Sequence, residues 1–124
     1  MPFTTATANK LINKLLRNTD FVHPSTIYVS LHSADPAQTG TGEVTGGGYS
    51  RKSATFSVGT DKTTSNTGDI EFTNMPTVTV THIGLWSATT AGDFWWGGSL
   101  AVSKALTSGD TLKIPIGDLD VTLT

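Results

Sequence analysis

The chain has 124 residues and a mass of 13.0 kDa, the size of one domain. Hydrophobic residues make up 36% and charged residues 15%, and 23 threonines and 11 serines supply the polar surface that the missing charge would otherwise provide, a profile of extended β structure that excludes a coiled coil or helical bundle. A net charge of −2 with scattered cations offers no stripe for phosphates, and the absence of cysteine excludes disulfides, thiolate metal sites and a cysteine nucleophile.

The first element is a helix over residues 6–17, where Ala8, Leu11, Ile12, Leu15 and Leu16 repeat at helical spacing against Asn9, Lys10, Asn13, Lys14 and Arg17. Thr5 or Thr7 can serve as N-cap, Lys14 and Arg17 suit the C-terminal dipole, and Asn18 is a C-terminal stop. Such a short helix is marginal alone. Its oily stripe must dock on its own β body, the simpler expectation, or on another chain.

After Pro24 the period changes to two. Ile27, Val29 and Leu31 alternate with Tyr28, Ser30 and His32, a half-buried strand over 26–32 with the histidine on its polar face. Residues 33–48, SADPAQTGTGEVTGGG, read as a long loop, 49–58 as a strand, 59–67 as a polar loop and 68–73 as a short strand. The stretch TVTVTHIGLW at 77–86 is the most apolar strand, but its alternation slips, and Gly84 marks a bulge or the close approach of another backbone.

A hairpin turn over 87–93 leads into Phe94, Trp95 and Trp96, then Leu100 and Val102. A further turn at 108–110 precedes a strand over 112–116, which Pro115 confines to an edge or bulge, and Leu119, Val121 and Leu123 close the chain in alternation. The elements add up to a mainly β chain: an antiparallel β-sandwich, jelly-roll or immunoglobulin-like, of about seven or eight strands with one short N-terminal helix. It reads as one domain, residues 1–124, divided into a helical segment (1–20) and a β body (25–124).

No catalytic set is predicted. His23, His32 and His82 lack metal-ligand spacing, no Gly-x-Ser-x-Gly elbow is present, and Asp118 and Asp120 lack a calcium-loop pattern. No cofactor or metal is therefore expected. The aromatic cluster is more informative: adjacent Trp95 and Trp96 should face opposite sides of a strand, so one either packs under a loop or against the helix, or is an exposed anchor at an interface or sugar-binding face.

The runs LHSADPAQTGTGEVTGGGYSRKSATF (31–56), VTHIGLWSATTAGDFWWGGSL (80–100) and KALTSGDTLKIPIGDLDVTL (104–123), behind the TANKLINKLL helix (7–16), resemble a family of small tailed-phage virion proteins. Its members are commonly called tail-fibre-like or minor tail proteins, and similar small β proteins decorate phage heads. The specific parts are Leu-His-x-Ala-Asp-Pro, Glu-Val-x-Gly-Gly-x-Tyr-x-Arg and Thr-His-x-Gly-Leu-Trp. The resemblance implies a non-enzymatic structural protein, made in the host cytoplasm and carried on the capsid surface or tail.

A compact domain without a shaft fits a capsid-decorating (cement or head-fibre) protein; the alternatives are a tail-fibre or minor tail protein in host adhesion, and a carbohydrate-binding module. Expected partners are further copies of itself, as a homotrimer or larger ring, the major capsid or tail proteins and a host-surface glycan, with no nucleic acid or membrane. The expected contact residues are Leu11, Ile12, Leu15 and Leu16 of the helix together with Trp95 and Trp96.

Overall fold

A computed structural model describes residues 3–123. One helix, α1 (Thr5–Arg17), precedes eight strands: β1 (Ile27–His32), β2 (Lys52–Ala54), β3 (Thr63–Ser65), β4 (Ile70–Met75), β5 (Val78–Trp86), β6 (Phe94–Leu106), β7 (Asp110–Ile114) and β8 (Asp120–Thr122). The pairings among them are antiparallel. A four-stranded sheet runs β2-β1-β5-β6, and two ribbons, β3-β8 and β4-β7, accompany it. Val29 and Leu31 of the sheet meet Phe72 and Met75 of one ribbon and Val121 of the other in one apolar core, the sandwich-type arrangement expected from the alternation.

The differences from the sequence reading have local causes. The run at 49–58 holds only the three-residue β2, continued by a single bridge between Phe56 and Asn66. The polar stretch at 59–67 contains β3, an all-hydroxyl strand pairing with β8, where Thr63 and Thr122 join their hydroxyls at 2.9 Å. The slip in β5 is real. Val80 pairs with Lys104 but His82 with Ser99, so residues 100–103 of β6 bulge out opposite Thr81 alone.

The polar face of β1 is also a correction. Ser30 and His32 are as fully buried as Val29 and Leu31, because the loop over 33–44 folds across that face. Val44 N–H donates to the Leu31 carbonyl and Ser33 N–H to that of Gly42. Beneath the loop, Pro36, Trp86 and Phe94 make a second small apolar layer. Gly84 is required there: a Cβ would come within 2.6 Å of Phe94 and 2.7 Å of the Ser30 hydroxyl. Side chains, not another backbone, set that requirement.

Candidate assembly surface

A second register shift in the β5–β6 pair creates the anchor of the helix. Leu85 pairs with Trp96 and Trp86 with Phe94, which leaves Trp95 as the extra residue of a bulge. A bulge frees backbone groups from the ladder, and Thr4 takes two of them. Its N–H donates to the Trp95 carbonyl at 3.0 Å and its hydroxyl to the Phe94 carbonyl at 3.1 Å. The same hydroxyl accepts from Thr7 N–H, so the N-cap is Thr4 rather than Thr5 or Thr7. Gln38 adds an acceptor for Thr5 N–H, and Lys10 pairs with Asp93 at 3.3 Å.

The other end returns to the same place. Asn18 adopts the left-handed conformation expected of a C-terminal stop, and Thr19 N–H bonds back to the Asn13 carbonyl. The chain then lays Phe21 and His23 edge-on against the Trp95 indole, with ring centroids 6.0 and 5.4 Å away. Trp95 is 9% exposed, with its buried indole N–H finding no hydrogen-bond partner among the described residues, and Trp96 lies in the main core. Of the two alternatives for the second tryptophan, an exposed anchor or sugar platform is set aside and packing under a loop holds: Trp95 sits at the bulge, and a segment 72–74 residues earlier in sequence covers the ring.

The helical residues are placed differently. Leu11 is half-buried, Ile12 is 53% exposed, and Leu15 and Leu16 are 77% and 79% exposed. Val22 in the return segment is also exposed. Only the start of the stripe, Ala8 and Leu11, is half-buried; α1 is fixed at both ends and leaves Ile12, Leu15 and Leu16 open.

The motifs singled out in the sequence converge elsewhere, in a polar network that pins the loops to the sheet. Arg51 forks onto Glu43 with two bonds of 2.9 Å, donates to the carbonyls of Ala88 and Ala91, and lies 3.7 Å above the Trp86 ring. Tyr49 donates to Glu43 at 2.7 Å and accepts from Leu31 N–H. Trp86 donates to the Ser30 hydroxyl, which lies 2.7 Å from His32 Nε2, while His32 Nδ1 faces the Thr41 carbonyl at 2.8 Å.

Burial lowers the His32 pKa against the opposing pull of that carbonyl. Burial also pushes the Glu43 carboxyl up, but hydrogen bonds from Arg51 and Tyr49 and the guanidinium charge bring it below the usual carboxylate range. Desolvation raises the Tyr49 phenol. Although Ser30 and His32 have the spacing of a nucleophile and base, both are sealed from solvent and a backbone carbonyl stands where an orienting carboxylate would be. Their role is to hold the loop. His82 meets the Thr81 hydroxyl instead, at 2.8 Å. Among the described residues no cluster of three or more histidine or carboxylate side chains could hold a metal, and no helix is long and apolar enough to cross a membrane.

A family model described as podophage GP4 fiber I protein gp80 matches residues 2–122. No curated protein matches the chain.

Proposed function

Because the chain belongs to the podophage GP4 fiber I protein gp80 family, a family of phage virion structural proteins, we propose that it is a non-enzymatic surface subunit of the virion, mounted through α1 and stationed on the capsid as a decorating protein. The observation that carries this reading is the open face of Ile12, Leu15 and Leu16 on a helix fastened at both ends. A fastened helix with an apolar face in water is an interaction site waiting for its partner. The partners are further copies of the chain, in a homotrimer or larger ring, and the shell proteins beneath. The compact β body formed by the described residues suits display on a surface lattice.

The word fibre in the family description favours a second reading, a tail-mounted fibre component acting in host adhesion. Cryo-electron microscopy of the intact virion, or immunogold labelling, separates the two. Copies in the hundreds at capsid symmetry positions support decoration. A few copies confined to the tail overturn it in favour of the fibre reading.

A further inference from the structure

A cavity of about 180 Å³ lies at the foot of α1, where Phe3 leads into the Thr4 cap. Phe3, Ile27, Phe56, Leu85 and Val121 wall it with apolar surface, and Trp95, His23 and Thr64 complete the lining. Trp95 is 9% exposed, and its indole N–H finds no acceptor among the described residues. A buried donor left unpaired costs stability and calls for an explanation. The same chain meets that need elsewhere, since the buried Trp86 N–H donates to the Ser30 hydroxyl at 2.8 Å.

The lining narrows what could answer the Trp95 donor. A cavity of about 150 Å³ lined by aliphatic and aromatic side chains stays dry and takes up a molecule the size of benzene, whereas a buried water needs about two to four polar partners. Here the Thr64 hydroxyl is already given to the Ser57 carbonyl at 2.6 Å, so a lone water is poorly held. No lysine, arginine, aspartate or glutamate lines the cavity, and an ion would enter without a counter-charge. What fits is an apolar body bearing one uncharged acceptor.

We propose that this cavity binds a small neutral molecule with a benzene-sized apolar body and a single oxygen acceptor, which takes the hydrogen bond of Trp95 Nε1. The His23 ring, exposed and resting edge-on against the indole, is the group that gives way as the oxygen reaches the N–H. The site is distinct from the open helix face and independent of where the chain is mounted on the virion.

The full-length protein labelled with nitrogen-15 tests this with three probes of similar size: acetophenone, its hydrocarbon isostere α-methylstyrene, and the anion benzoate. Of the indole signals from the three tryptophans, the one lost in Trp95→Phe belongs to Trp95. Acetophenone is expected to move that signal downfield to saturation and to bind about tenfold more tightly than α-methylstyrene, the scale of one hydrogen bond to a donor otherwise stranded. Benzoate is expected to bind more weakly than acetophenone. Trp95→Phe, which keeps a ring but removes the N–H, should bind the two neutral probes equally, and Thr64→Phe, which fills the cavity from β3, should bind neither. If Trp95→Phe fails to fold, the isostere ratio in the unmodified protein and the loss in Thr64→Phe decide the matter. An unmoved Trp95 signal, equal binding of acetophenone and α-methylstyrene by the unmodified protein, benzoate binding as tightly as acetophenone, or undiminished binding in Thr64→Phe would each overturn the proposal.

Discussion

The guanidinium of Arg51 lies 3.7 Å above the Trp86 ring while its nitrogens bond Glu43 and the carbonyls of Ala88 and Ala91. One side chain thereby joins the loop before β2, the edge of the small apolar layer and the β5–β6 turn. Its planar fork and face are both used, which an ammonium cannot reproduce. Arg51→Ala is expected to cost about 3 kcal/mol, because Glu43 loses its partner in a half-buried site. Arg51→Lys should lose most of the same stability. Pairing Arg51→Met with Glu43→Leu should recover part of it, since both charges are then gone. Denaturant midpoints of the variants in a mutant cycle measure this.

Acid should weaken the fold in two stages. The folded pKa of His32 lies below its ordinary 6.5, under burial and in the presence of Glu43, Arg51 and His82, so the unfolded chain takes up the proton first. The stability tied to the neutral ring is complete above pH 6.5 and declines as pH falls below it, by at most about 1.4 kcal/mol per pH unit. Glu43, lowered from 4.5, adds a second loss at lower pH as the carboxylate protonates. Unfolding free energy measured across this range should show both, and His32→Gln should remove only the upper one.

Gly84→Ala is expected to destabilise by about 1–3 kcal/mol through overpacking. The new methyl would push on Phe94, the Ser30 hydroxyl and the His32 ring together, so the loop over 33–44 should loosen first. Hydrogen exchange at Val44 N–H, bonded to the Leu31 carbonyl, reports this. Uniform loss of protection across all strands would contradict it.

Thr4→Val keeps the shape of the cap but removes the hydroxyl that serves both Thr7 N–H and the Phe94 carbonyl. The loss should be about 1 kcal/mol, the usual scale for an N-cap. It should appear as faster amide exchange in residues 5–10 with β-strand amides unchanged.

Asn66 is 2% exposed and ties the β3–β8 ribbon to the end of β7. Its amide donates to the carbonyls of Gly68 and Pro115 and accepts from Leu119 N–H. Asn66→Ala strands these groups, at an expected cost of about 2 kcal/mol, readable as a shift in thermal midpoint.

Much of this architecture is legible in the residues themselves. The helix and the closing alternation follow from period and β5 from its apolar run, and the three motif runs announce themselves as special before their convergence on Arg51, His32 and Trp86 is visible. β3 carries no apolar residue, so its identity as a strand comes from pairing with β8 and from backbone bonds to Ser57 and Thr60, not from apolar alternation. The burial of His32 depends on a loop folding over it, and that of Trp95 on a bulge plus a distant segment. Local alternation carries none of this information. The exposed helix face was half legible: its apolarity stands in the sequence, but whether it turns inward is decided by the anchors at its two ends.

Those anchors also decide how force would pass through the molecule. A load applied at Leu15 or Leu16 runs forward to Thr4 and its bonds to Phe94 and Trp95, or backward through Phe21 and His23 onto the Trp95 ring. Either way it enters the body at the start of β6, a strand hydrogen-bonded to β5 from Trp86 down to Val78. Tension is therefore distributed into the longest ladder of the sandwich instead of peeling a free terminus. The handle and its rivet are one joint, suited to a part of a particle that must survive drag.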